Sequence, residues 1–345
     1  MLRQIMRVIK LLGLRRALKM KRHHDQGLSY IRGYVATTCW WTLLNNGMLE
    51  EMAVHGKVDI AEFTQQYPCE RKILDAVIEY LHGIGLLDRR DSAVRLSKKG
   101  QALFAEPRGL FELLWAYEPC FAHLPALVTG EKKYGRDLTR DVTYVGIGSG
   151  RLCEQLPYPV MRRMILKHHC RMVLDLGCGD LALPAGLCRL DPHIRCHGID
   201  HSEQMVFYNQ HQLNQNNYQD RLTTQHGDMF NLPTLPADLP PIDAISACDT
   251  FHEYLDQPQQ IIELLQSLRR QFPDAIFVIG EFCLQDPIWL HKHPTASLEH
   301  HLFHQLSNQE IGTADQWRQI FSQAGLEILE EQVYDLIGHG YFTVA

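Results

Sequence analysis

Val173-Leu174-Asp175-Leu176-Gly177-Cys178-Gly179-Asp180 decides how this 345-residue chain is read. A short apolar strand runs into two glycines one residue apart, and a helical pattern begins at about Leu183. Without a Cβ, residues 177 and 179 let the backbone turn tightly and approach a ligand closely. A glycine pair alone is weak evidence, so its surroundings matter. Here a strand precedes it, a helix follows, and Gly198-Ile199-Asp200 ends the next strand in an acid placed to accept hydrogen bonds from two ribose hydroxyls. Outward from this turn, short apolar runs at 172–176, 194–199, 222–226, 244–247 and 275–279 alternate with helical segments. That alternation predicts a doubly wound α/β unit with a parallel sheet and crossover helices.

The spacing of Asp175, Gly177, Gly179 and Asp200 would also suit a nicotinamide dinucleotide. That cofactor wants a third glycine opening the helix, where pyrophosphate sits on the helix N-terminus. Asp180-Leu181-Ala182 stands there instead, and an acid at that point repels pyrophosphate while suiting the cationic methionine end of S-adenosylmethionine (SAM). The third strand ends His226-Gly227-Asp228-Met229-Phe230, which sets Asp228 to accept the adenine amino group with Met229 or Phe230 beside the ring. The expected cofactor is SAM, with Asp175, Gly177, Gly179, Asp200, Asp228 and Met229 binding it.

Composition narrows the remaining classes. A net charge of −6 offers no basic excess for a phosphate backbone, so nucleic acid is not an expected partner. The ten cysteines include no CxxC pair and no secretory signal precedes them, so reduced thiols and a cytoplasmic location are expected. No apolar run approaches the roughly 20 residues a membrane span requires. Residues 1–34 read as a basic amphipathic helix: Arg3, Arg7, Lys10, Arg15, Arg16, Lys19, Lys21 and Arg22 interleave with Leu2, Ile5, Ile9 and Leu12. That stripe suits a partner subunit or the chain's own domain, and the charge pattern also resembles an interfacial anchor.

Residues 35–105 show the element order of a winged helix. Helices are expected over 39–49, from Asp59 and over 70–81, the last with Ile73, Leu74, Val77, Ile78 and Leu81 inward. Strands at 86–89 and 94–96 flank a turn at Arg90-Asp91-Ser92, and a helix starts at Ser97. Eight Lys or Arg against nine Asp or Glu in this stretch leave no basic face for DNA, so dimerisation is the expected role and a homodimer the expected assembly. The rival class is a DNA-binding protein using SAM as effector. Residues 106–165 read as a helical connector lining a small-molecule pocket, with Arg136 and Arg140 as candidate partners for a substrate carboxylate. Residues 166–345 form the α/β domain.

Residues 172–282 resemble a class I SAM-dependent methyltransferase, and the front end resembles the O-methyltransferases that dimerise through a winged helix. The resemblance implies a Rossmann-like SAM-binding domain with an N-terminal, mainly helical dimerisation domain. In Ile242-Asp243-Ala244-Ile245-Ser246-Ala247-Cys248-Asp249-Thr250-Phe251-His252-Glu253-Tyr254, the fourth strand's C-terminal edge brings Asp249 and His252 to the cofactor crevice as candidate catalytic residues. O-methyltransferases of small molecules carry a general-base histidine here, followed by Asp-Trp; this chain has Glu253-Tyr254. The stretch 297–309, with Trp317, Phe321, Ala324 and Gly325 behind it, is similar to a smaller branch of C-methyltransferases that act on 2-oxo acids. In that branch two histidines hold a non-haem iron, and the matching positions are His252 and His304, with His291, His293, His300 and His301 competing.

A C3 proton of a 2-oxo acid is too weakly acidic for a side-chain base alone, whereas a metal chelated by the carboxylate and keto oxygens stabilises the enolate. Fe(II) rather than zinc is expected because soft cysteine ligands are missing from the proposed pair. The rival is a metal-free O-methyltransferase with His252 as base. The resemblance also implies a place in secondary metabolism.

Overall fold

A computed structural model describes residues 2–215 and 220–345. The chain divides into two compact units, Met1–Pro107 and Arg108–Ala345. Of residues 106–165, read above as a separate connector, all from Arg108 onward belong to the α/β unit, where the helix Val142–Cys153 packs on the helices Arg108–Ala116, Ala182–Leu190 and Glu203–Gln215.

The first unit is mainly helical. Leu2–Leu12 and Leu14–Asn45 are separated at Gly13, whose φ of 76° ends the first helix. Of the expected apolar stripe, Ile9 and Leu12 are half-buried, and the side chains of Leu2 and Ile5 lie outside the described residues. The helix expected over 39–49 is broken: Gly47, at φ 80°, separates the long helix from Met48–His55. Asp59 caps the next helix, Ile60–Gln66, by accepting from the N–H groups of Ala61 and Glu62. On Arg71–Gly83 the buried stripe is Leu74, Ile78 and Leu81, while Ile73 is 61% exposed. An i, i+4, i+7 stripe is narrower than the face expected, and Ile73 lies off it. Strands β1 (Val58–Asp59), β2 (Leu87–Arg90) and β3 (Ala93–Leu96) form an antiparallel sheet in the order β1-β3-β2.

The second unit is a seven-stranded sheet with helices on its faces. Its strands are β4 (Met172–Leu176), β5 (Arg195–Asp200), β6 (Leu222–His226), β7 (Ala244–Cys248), β8 (Ile276–Phe282), β9 (Ile328–Tyr334) and β10 (His339–Val344). The spatial order is β6-β5-β4-β7-β8-β10-β9, parallel from β6 to β8, with β10 antiparallel to both its neighbours. The order reverses at β4, so the crevice at the carboxyl ends of β4, β5 and β7 is the topological switch point at which such sheets bind ligands. β4 is buried along its length, and two apolar cores lie on the sheet: Leu187, Met164 and Ile165 in one, Ile261, Leu265, Trp317 and Phe321 in the other. The fold is a Rossmann-like α/β domain with a helical N-terminal region. Among the described residues no helix is long and apolar enough to cross a membrane.

Candidate active site

The turn after β4 is built by two glycines in the left-handed region, Gly177 at φ 66° and Gly179 at φ 49°. A Cβ on Gly177 would stand 2.6 Å from Thr250 Oγ1, whereas one on Gly179 would meet nothing closer than 4.0 Å. Residue 177 must therefore be glycine for packing as well as for conformation, and residue 179 keeps open space for a ligand. Asp200, at the end of β5, accepts from the Gly179 N–H through Oδ2 and from the Ser202 N–H through Oδ1, both at 2.9 Å. Burial raises its pKa above the ordinary carboxylate value.

These residues wall one cavity together with Met205, Asp228, Met229, Asp249 and Tyr254. Five of the six residues expected to bind cofactor are on its wall. Asp175 is not: it lies inside β4, 3% exposed, where Ser246 Oγ donates to it at 2.5 Å, and burial pushes its pKa up to about 7. Asp228 also accepts from the Phe230 N–H at 2.9 Å and so shapes the turn it stands on.

A second cavity of about 40 Å³ shares Arg140, Val145, Ser149, Asp249 and Glu253 with the first and is otherwise lined by Tyr117, His252, His300, Phe303, His304 and their neighbours. His252 therefore stands in the smaller chamber and not on the cofactor wall. Its Nδ1 lies 2.9 Å from Glu281 Oε2, and its Nε2 lies 3.1 Å from Nε2 of His304. His304 Nδ1 donates in turn to the carbonyl oxygen of His300 at 2.6 Å. With both outer nitrogens donating, the two inner ones are left as lone-pair acceptors 3.1 Å apart. Only a proton or another cation between them makes that arrangement favourable. Burial opposes protonation of His252, but the charge and hydrogen bond of Glu281 outweigh it and raise the pKa. His304, pushed down to about 3 by burial and by the charge of His252, stays neutral.

Glu281 is fully buried, and its Oε1 also accepts from the N–H groups of Thr250 (2.9 Å) and Phe251 (2.5 Å). It thereby fixes the turn that presents His252. Phe282 packs edge-on against His252, His304, His300 and His339 as an apolar wedge among the four rings. Asp249, at a left-handed φ of 50°, accepts from His339 Nε2 at 2.7 Å and from Cys153 Sγ at 3.2 Å. Burial pushes its carboxyl up, but His339 more than offsets this and holds it below the usual range.

The two arginines part company. Arg136 is exposed and paired to the adjacent Asp137, because its loop carries it away from both cavities. It is withdrawn as a substrate ligand. Arg140, on the wall common to both cavities, donates to Tyr117 Oη (2.8 Å) and Gln309 Oε1 (2.6 Å) and pairs with Glu253. Among the competing histidines, His291 and His293 are exposed, and His301 lines a different, shallow cavity. Sequence reasoning missed Glu281 and His339 and gave Glu253 no chemical role. A glutamate inside the apolar run Ile276–Phe282 was the available signal for the first, since a charge is buried there only with partners.

Residues 167–325 match a family described as a methyltransferase domain. The chain is 25% identical over 325 residues to the 2-ketoarginine methyltransferase of Streptomyces arginensis, a match covering 90% of each protein. Among solved structures it is similar to human N-acetylserotonin methyltransferase in complex with SAM (TM-score 0.68, 15% identity, 93% of this chain and 97% of that one). It is also similar to mitomycin 7-O-methyltransferase (TM-score 0.64, 12% identity, 95% and 98%). The glycine turn and the acid ending β5 agree with these matches, which support a SAM-dependent methyltransferase with its methyltransferase domain at residues 167–325.

Proposed function

We propose that this enzyme methylates C3 of a 2-oxo acid, with His252 and His304 as the two protein ligands of a divalent iron. The observation that carries the proposal is the 3.1 Å separation of their inner nitrogens, each ring being oriented by a hydrogen bond on its far side. Both inner nitrogens would lie within reach of one ion at metal–nitrogen bonds of about 2.1 Å. The outer partners, a carboxylate and a backbone carbonyl, are those that orient ligating histidines elsewhere. The residues present therefore fit the metal. When bound, it would supply Lewis-acid stabilisation of the enolate through the substrate's carboxylate and keto oxygens. The name of the Streptomyces relative, whose 2-ketoarginine is a 2-oxo acid, supports the substrate class.

The remaining work falls to the chain's own side chains. Asp200 takes the ribose hydroxyls, Asp228 and Met229 take the adenine, and the backbone at Gly177 and Gly179 admits the methionine portion. Asp249 stays ionised on the wall shared by both chambers, where its charge favours the cationic sulfonium. Arg140, held in plane by Glu253, Gln309 and Tyr117, meets the substrate carboxylate. Fixing methyl donor and carbon nucleophile in adjoining chambers accelerates transfer by positioning.

The His252–Glu281 hydrogen bond also suits a general base, so O-methylation by His252 without metal is the second reading. Metal content of anaerobically purified wild type and His304→Ala, measured beside turnover of a 2-oxo acid panel and a phenol panel, separates the two. Stoichiometric iron lost in the variant together with 2-oxo acid turnover supports C-methylation. Absence of metal from both proteins, with turnover of a phenol, would overturn it.

A further inference from the structure

The cofactor cavity carries a second set of donors, of which the proposed reaction uses only the Asp249 carboxylate and neither thiol. Cys153, at the end of the helix Val142–Cys153, and Cys248, the last residue of β7, stand on its wall beside Asp249. One ligand atom from each of the three lies within 4.8 Å of the other two, and Cys153 Sγ already reaches Asp249 Oδ2 at 3.2 Å. Among the described residues this is the only cluster of three or more such side chains. We propose that Cys153, Cys248 and Asp249 form a binding site for a thiophilic divalent cation of the Zn²⁺ or Cd²⁺ class, and that occupancy of this site and of the SAM pocket exclude one another.

Two thiolates and a carboxylate are the donor set such ions select, and a tetrahedral ion with bonds of about 2.0–2.3 Å needs its ligands about 3.3–3.8 Å apart, a spacing inside the 4.8 Å limit that these three atoms keep. The fourth position opens on the cavity, which also provides the entry path. Asp249 is oriented from behind by His339, as ligating carboxylates commonly are, and its left-handed backbone is held against its own preference. Close by, the Tyr341 hydroxyl is buried without a hydrogen-bond partner, and the two thiols and Asp249 lead its electrostatic surroundings after burial itself. Binding forms two metal–sulfur bonds and releases the protons of the two thiols to solvent.

The test is titration of the full-length protein with Cd²⁺, followed by thiolate-to-cadmium charge-transfer absorption, which a metal on His252 and His304 does not produce. One ion per chain, loss of the band in C153S/C248S, and its suppression by excess S-adenosylhomocysteine are expected. The buried pair Cys188 and Cys196, with Sγ atoms 3.9 Å apart, is the internal competitor. A band unchanged in C153S/C248S, or one indifferent to S-adenosylhomocysteine, would overturn the proposal. Competition in the wild type decides the matter even where the double variant does not fold.

Discussion

Replacing Glu281 by Gln tests the histidine pair without removing either ring. Oε1 of Glu281 holds two backbone N–H groups and Oε2 holds His252 Nδ1. The amide keeps its single oxygen on the two backbone donors, so its NH₂ group faces His252. A donor cannot stand opposite Nδ1–H, and His252 must adopt the other tautomer, with the proton on Nε2. That proton points at the lone pair of His304 Nε2 across 3.1 Å. The pair becomes an internally satisfied hydrogen bond with no lone pair left on His252 for a metal. Loss of such an outer partner typically costs 10- to 100-fold in metal affinity, or about 1.4–2.8 kcal/mol. Isothermal titration with Fe(II) under argon measures it, and calorimetric melting checks that the fold persists. Metal affinity and turnover both within twofold of wild type would refute the tautomer argument.

Other outcomes follow from the same geometry. His304→Ala should lose bound metal and 2-oxo acid turnover by at least about 100-fold while SAM affinity, read by titration, stays within a few fold, since His304 is absent from the cofactor wall. Asp200→Ala should raise the Kd for SAM about 10- to 100-fold, the worth of a pair of charge-assisted hydrogen bonds, and should also lower Tm because the Gly179 and Ser202 N–H groups lose their acceptor. Gly177→Ala should destabilise by more than the about 1–2 kcal/mol of a left-handed alanine, and Thr250→Ala should restore part of the loss; Gly179→Ala should show the conformational cost alone. Asp175, raised from 3.8 to about 7, binds a proton in the folded chain that the unfolded chain has released, so stability falls as pH rises through that window. Asp175→Asn should flatten this slope, gaining up to about 4 kcal/mol above pH 7 in denaturant melts.

The sheet was largely legible because β4, β5, β7 and β8 are buried and read as apolar runs: four of the five expected segments, the half-buried β6 among them, fall on observed parallel strands within a residue, and the fifth extends further, to Phe282. β9 and β10 escaped. Ile328–Tyr334 carries Glu330 and Glu331 at the sheet edge, which breaks the apolar signature. The glycine turn and Asp200 could be placed because neighbouring strands at a switch point bring them together. His252 and His304 were named by resemblance, but nothing in their spacing shows that Glu281 stands behind one ring or that a carbonyl holds the other. Arg136 and Arg140 are equivalent in sequence; a local carboxylate, Asp137, satisfies one, and distant Glu253 and Gln309 draw in the other. Contacts between residues more than a hundred positions apart leave no local trace.

The place of β10 bears on how the enzyme comes into being. It is the last strand in the chain yet an interior strand of the sheet, buried at all six positions, and its first residue is the histidine that holds Asp249. During synthesis the five parallel strands can pair while the flank of β8 still lacks its partner. A nascent chain at that stage presents an apolar, unpaired edge of the kind that recruits other chains. A chain cut before β10 lacks both the partner of β8 and the histidine behind Asp249, and should not transfer methyl.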